Sequence, residues 1–253
     1  MLLSDARAFY DDLADAYHLI FENWDASIAR QGGALHSIMQ RWAPTNGLIL
    51  DVAAGIGTQT LALELRGFTV IGSDLSVRAL ARAQREARLR HLSIPFAAAD
   101  FRALPFRSRA ADVVIACDNS LPHLLSLEQI KVALLELQRC VRPGGGVVLS
   151  MRDYQVMPAG TREQRPYGER TWQGRRYYLE QEWLWQGATY RLTMRVRPID
   201  AHGTEHDLEL ATTYFAVPIA AVLALMNEVG LTAVERVDGV YYQPLLLGTV
   251  SSG

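Results

Sequence analysis

Five short apolar runs, at 48–52, 68–73, 94–98, 111–117 and 146–151, alternate with stretches whose apolar residues recur at helical spacing. Nothing else in the chain restricts the fold as tightly. A strand followed by a helix and another strand, repeated, implies a parallel sheet with helices on both faces. The helical stretches are Thr58–Leu65, Ser76–Arg90, where Leu80, Ala83 and Ala87 share a face, and Leu127–Arg139, where Ile130, Leu134 and Leu137 do. Ser76 is placed to cap the second, and "RPGGG" at 142–146 to stop the third. Pro218 opens a later helix to Glu228, Gly230 ends it, and strands follow near 232–238 and 241–249. The expected class is α/β, a doubly wound, Rossmann-like sheet of seven strands.

Two regions depart from this rhythm. Residues 1–44 read as helical, with Pro44 as the stop. After a loop-like stretch over 155–170, "RRYYLEQEWLWQGATYRLTMRVR" alternates around the turn "QGA", and "TEHDLELATTYFAV" follows a turn at "DAHG". These predict three antiparallel strands inserted before the last helix. The whole reads as a single domain: a helical N-terminal lid over 1–44, a core over 45–154, an antiparallel insertion over 155–216 and closing elements over 217–253. Tyr177, Tyr178, Tyr190 and Tyr214 lie in the insertion, at least half of them as core, and Trp183 and Trp185 point the same way along one strand.

Of 253 residues, 49% are hydrophobic and 21% charged, with a formal net charge of −2. No basic excess favours a phosphate backbone, so nucleic acid is not the expected partner. Cys117 and Cys140 sit singly in apolar segments and form neither a disulfide framework nor a CxxC zinc site. No run is long and apolar enough to span a membrane, and the acidic start lacks a signal-peptide pattern. The expectation is a cytoplasmic protein.

The stretch "DVAAGIGTQT" at 51–60 carries the chemistry. Gly55 and Gly57 lie at a strand-to-helix turn, where the backbone takes positive φ or approaches a ligand. A third glycine is missing at Thr60, so the dinucleotide fingerprint is incomplete, and no lysine follows to make a phosphate loop. Asp51 beneath the turn disfavours a pyrophosphate and suits a ligand carrying ammonium or sulfonium. Asp74, ending the next strand, suits ribose hydroxyls of either a dinucleotide or an adenosyl ligand.

"LDVAAGIGTQTLALELRGFTVIGSDLS" resembles the first motifs of class I S-adenosylmethionine-dependent methyltransferases, with Ala53 in place of a glycine. "AAADFRALPF", "ADVVIACDNSLPHL" and "LLELQRCVRPGGGVVLSMRDY" continue the resemblance in order over about 45–154. It implies S-adenosyl-L-methionine as cofactor, with S-adenosyl-L-homocysteine as product, and no metal. Cofactor-binding candidates are Asp51, Ala53, Gly55, Gly57, Asp74, Leu75, Asp100 and Phe101 at the adenine, and Cys117. "DNSLPHL" and "RDYQ" are similar to the glycine N-methyltransferase branch, which acts on small amines. That similarity gives Asn119 and Arg152 the holding of an amino-acid substrate, with Asp118 replacing a glycine. Asp118 and His123 are candidate proton acceptors. Tyr17 and Arg30 are the candidates for closing over the cofactor. A non-catalytic cofactor-binding module and a nicotinamide-dependent oxidoreductase stay open as alternatives. The expected partner is a small-molecule substrate, and the insertion is a possible route to a homo-oligomer.

Overall fold

A computed structural model describes residues 3–199 and 207–252. The turn expected at "DAHG" lies outside the described residues. Strands β1 (Leu48–Asp51), β2 (Thr69–Asp74), β3 (Phe96–Ala98), β4 (Ala111–Ala116), β5 (Val141–Ser150), β10 (Leu231–Val237) and β11 (Leu245–Val250) form one sheet in the order β10-β11-β5-β4-β1-β2-β3. All neighbours pair in parallel except β11, antiparallel to both β5 and β10. This is the doubly wound seven-stranded sheet that the alternating pattern predicts.

Successive residues of a strand face opposite sides, and here both sides are buried. Leu50, Val114, Val147, Leu149 and Leu246 belong to a core with α5 (Leu127–Cys140) and α6 (Ile219–Glu228). Their neighbours Ile49, Val113, Ile115, Val148, Leu245 and Leu247 belong to the opposite core, with α2 (Trp24–Met39). The runs are therefore apolar throughout rather than alternating. Ser76 accepts a bond from Ala79 N–H to open α4 (Val77–Leu89), the cap expected from sequence. "RPGGG" is a correction: it is absorbed into the irregular start of β5, where Ala111 pairs Val141 but Val113 pairs Gly146.

The second sheet has four antiparallel strands, not three: β6 (Arg162–Trp172), β7 (Arg175–Gln186), β8 (Thr189–Pro198) and β9 (Leu208–Phe215). Most of the stretch read as loop is the edge strand β6. It lacks an apolar face, being mostly exposed or half-buried, and is held by its ladder to β7. The inner face of this sheet buries Leu179, Trp183, Tyr190, Leu192, Met194 and Tyr214. Helix α1 (Leu3–Leu13) lays Phe9 and Leu13 on that face. On its other side it reaches α4, where Asp11 accepts bonds from Ser76 Oγ at 2.6 Å and Arg78 N at 3.1 Å. α1 thus bridges the two sheets. No described helix is long and apolar enough to cross a membrane.

Candidate active site

Two adjoining cavities open at the carboxyl ends of the parallel strands, the usual ligand position in open α/β sheets. The first, of about 230 Å³, is lined by Tyr17, Ala53, Gly55, Asp74, Leu75, Asp100, Phe101, Cys117, Asp118 and His123, among others. Ten sequence candidates therefore meet on one cleft. The second, of about 340 Å³, lies between α1 and the antiparallel sheet, and Arg152 and Tyr214 line it. Tyr10, Tyr17 and Asp118 line both cavities and mark their junction.

The glycine turn is built around Asp74. Its Oδ2 accepts from Gly55 N at 2.8 Å and its Oδ1 from Ser76 N at 2.8 Å. Burial pushes this carboxyl up, while those N–H groups pull it back. Gly55 has φ +52, and an added Cβ would meet Tyr17 at 3.5 Å, so a side chain here would fill the gap beneath that ring. Ala53 has no positive φ. The position requires no left-handed backbone, so alanine carries no conformational cost.

Asp51 is buried below the turn rather than on the cleft surface, and Thr60 Oγ donates to it at 2.7 Å. Burial pushes its carboxyl up to about 7, against the Thr60 and Ala53 bonds and helped by the charges of Asp74 and Asp118. Gly57, at φ +95, caps the seven-residue α3 (Thr58–Glu64) and does not line either cavity. Asp100 is gripped by Arg102, with Nη2 to Oδ2 at 2.6 Å; burial raises its carboxyl but the guanidinium outweighs it. Arg102, which sequence reasoning missed, also lines the cleft.

At the junction Asp118 and Asn119 both take left-handed backbone, φ 56 and 64. This is where the resembled branch carries glycine, and Asp and Asn tolerate the conformation better than other side chains. Asn119 is buried, and its amide is committed. Nδ2 donates to Tyr154 Oη at 2.6 Å, and Oδ1 accepts from Arg152 N at 3.0 Å. It therefore positions Arg152 and Tyr154 instead of facing the cavity, correcting the direct substrate role expected for it. Arg152 donates to Tyr190 Oη at 3.4 Å and lies 5.1 Å over the Trp183 ring. Among the described residues neither Arg152 nor Asp118 has an ion-pair partner.

His123 Nε2 is 2.9 Å from Tyr10 Oη, which is itself 3.1 Å from Tyr214 Oη. Burial, then the charge of Arg152, lowers the imidazole to about 3, so the ring is neutral. Arg30 is a further correction. It is exposed on α2, donates to Ser27 Oγ at 3.1 Å and lines neither cavity. The side of α2 that turns inward carries Trp24 and Ile28, and polarity sends Arg30 outward. Tyr10 and Tyr242, which line the cavities, and Tyr241, whose hydroxyl reaches Asp118, were missed by the sequence reading. Their signal was tertiary, since α1 and the loop before β11 reach the junction only in the folded chain. Both cysteines are buried and free.

Residues 49–145 match the family described as "Methyltransferase domain". Glycine/sarcosine N-methyltransferase of Parasynechococcus marenigrum is 28% identical over 155 residues, 61% of this chain and 54% of that protein. The chain spans about half the length of the curated relatives it matches. Streptomyces venezuelae DesVI shares the fold with a TM-score of 0.77 at 20% identity, over 94% of this chain and 98% of that one. So does CalS10 of Micromonospora echinaspora, an amino pentose methyltransferase solved with S-adenosylmethionine bound, at 0.71 and 20% identity, over 94% and 95%. A sheet of this order, a cleft at its strand ends built on an acidic residue and a glycine turn, and a methyltransferase-domain match over residues 49–145 make the chain similar to the class I S-adenosylmethionine-dependent methyltransferases.

Proposed function

We propose that the chain moves the methyl group of S-adenosylmethionine to the nitrogen of a small amine that also carries an acidic group. The observation that carries this reading is a carboxylate, Asp118, and a guanidinium, Arg152, that line the second cavity with no salt bridge to either among the described residues. Both side chains are half-buried, and a charge partly withdrawn from water is favoured by an opposite charge on a ligand. A zwitterion supplies both complements, its ammonium toward Asp118 and its acid toward the Arg152 fork. The ring faces of Tyr10, Tyr17 and Tyr214 add attraction for a cation. One of the relatives, glycine/sarcosine N-methyltransferase, is named for amine acceptors, while others are named for demethylmenaquinone.

The residues of the first cavity fit the cofactor by chemistry. Asp74 keeps lone pairs for ribose hydroxyls beyond its two backbone bonds. Leu75 and Phe101 offer apolar surface for a base, with Asp100 beside them. Gly55 lets a ligand lie under Tyr17, and Asp51 supplies negative charge toward a methionyl ammonium. Bound there, the cofactor supplies an activated methyl on sulfonium. The chain then has to align the acceptor in line and keep water out. Asp118 accepts the ammonium proton, Arg152 fixes the acid end, and Asn119 and Tyr154 hold Arg152. His123, neutral, orients Tyr10 at the junction.

Calorimetry comparing S-adenosylhomocysteine with NAD tests the cofactor, and binding of NAD alone overturns the reading. A methyl-donor turnover screen over amines with and without an acid group tests the acceptor. Arg152→Lys is expected to raise KM about tenfold for acid-bearing amines and little for neutral ones, because lysine lacks the bidentate fork. Equal losses for both classes sink the zwitterion assignment. Cofactor binding without turnover across the panel favours a binding module.

A further inference from the structure

Building on that reading, we propose that Tyr242 and Tyr241 are positioning residues for proton transfer: their hydroxyls hold Asp118 at the cavity junction and set when it takes a proton from the acceptor ammonium. Neither tyrosine belongs to a recognised motif, and both come from the loop just before β11. Tyr242 Oη and Tyr241 Oη both donate to Asp118 Oδ1, the latter at 2.9 Å. Asp118 is further fixed by its own N–H, which donates to Ser150 Oγ at 2.8 Å.

The hydrogen count behind Asp118 favours a site able to hold a proton. Tyr241 Oη is 2.9 Å from Asp118 Oδ1 and 2.6 Å from Gln31 Oε1, two acceptors for one hydroxyl proton. Gln59 Nε2 donates to Gln31 Oε1 at 2.6 Å and to Tyr241 Oη at 3.1 Å. With Asp118 ionised, Tyr241 donates to it and Gln59 serves Gln31. With Asp118 protonated, its O–H donates to Tyr241 Oη, and Tyr241 donates onward to Gln31. Each state leaves every buried acceptor served, so adding the proton orphans nothing. Gln31, Gln59 and Tyr241 are buried, whereas Tyr242 is 56% exposed.

The charged and titratable groups facing Asp118 are Arg152 after β5, Asp51 at the end of β1, Cys117 beside it, Tyr17 from the 3-10 turn, and the two tyrosines. Burial raises its carboxyl. Bonds from Tyr242 and Tyr241 and the charge of Arg152 pull it back. In the step itself an N–H bond of the ammonium breaks and an O–H bond forms on Asp118. The nitrogen keeps the electron pair it then gives to the methyl carbon, while the C–S pair leaves with sulfur.

The test is a pH titration of the ¹³C-labelled aspartate carboxyls of the full chain by NMR, with Asp118→Asn assigning the signal. Tyr242→Phe is expected to move the Asp118 midpoint up by about one pH unit, since a hydrogen bond to the charged form is lost. S-adenosylhomocysteine affinity should stay within about twofold, which also reports an intact fold. The ascending limb of kcat/KM against pH for the acceptor should move up with the midpoint. Tyr241→Phe is the second variant and should shift both in the same direction. An unchanged midpoint in both variants overturns the proposal, and so does a moved midpoint with an unmoved kcat/KM limb. If the wild type binds no S-adenosylhomocysteine and methylates no amine while the midpoint still answers to Tyr242, the methyltransferase reading fails, and the phenols only hold a carboxylate.

Discussion

Asp51 lies under the glycine turn with its carboxyl raised by burial to about 7, and it gives the site a pH dependence of its own. An ammonium above the turn favours the ionised form. Affinity for S-adenosylhomocysteine is therefore expected to weaken as pH falls through about 7, and Asp51→Asn should flatten that slope in calorimetry. If Asp51→Asn keeps the wild-type slope, another group is responsible. The sign for folding runs the opposite way. A carboxyl raised from 3.8 to about 7 binds its proton more tightly in the folded chain, so its contribution to stability declines as pH rises from about 4 to about 7. The residues of the turn and the acidic strand end were legible in sequence because their spacing is local. Gly55, Asp74 and Leu75 are fixed by one strand–turn–helix unit and the strand after it. Arg30 was not legible, because the direction in which α2 turns its arginine depends on what α2 rests against.

Elements divide in the same way. The buried parallel strands and Ser76-capped α4 follow from apolar runs and helical period, and α6 from Pro218 and Gly230. β6 escaped because it is an edge strand of charged residues with Pro166 and Gly168 at a bulge. Its strand conformation comes from pairing with β7, not from burying an apolar face. Helix α1 and the turn after it are held to α4 along an acidic seam. Asp11, Asp12 and Asp15 meet Ser76, Arg78 and Arg85 of α4 and its cap, through bonds of 2.6 to 3.8 Å. These exposed pairs are individually worth about 0–1 kcal/mol and weaken with salt. Replacing all three by Asn is expected to raise the S-adenosylhomocysteine off-rate severalfold, and to make it nearly independent of ionic strength, in stopped-flow displacement. An unchanged off-rate removes α1 from the closing of the cleft. Trp24 and Ile28 of α2 belong to the core, so a truncation that tests α1 has to stop before them. Deletion up to residue 16 spares α2.

Across the whole molecule, two sheets reach the cleft through different elements. The parallel sheet brings Asp74, Asp100 and Asp118 to its strand ends, the antiparallel sheet brings Tyr214, and α1 joins them. Hydrogen exchange with S-adenosylhomocysteine is expected to slow in α1, the turn at 52–57 and the loop at 117–124, and to leave the β6–β7 hairpin tip unchanged. Uniform protection, or none in α1, argues against a bridged cleft.

By itself the sequence determined the doubly wound sheet, the adenosyl-type turn and the acidic strand end, because periodicity and turn chemistry act over a few residues. Only the tertiary structure decided that Asn119 holds Arg152, that Arg30 faces solvent, and that Tyr10, Tyr241 and Tyr242 converge on the junction. Tyr241 and Asp118 stand 123 positions apart and Tyr10 and His123 113, and a pairing over such separations is fixed only when the packed core brings distant segments together.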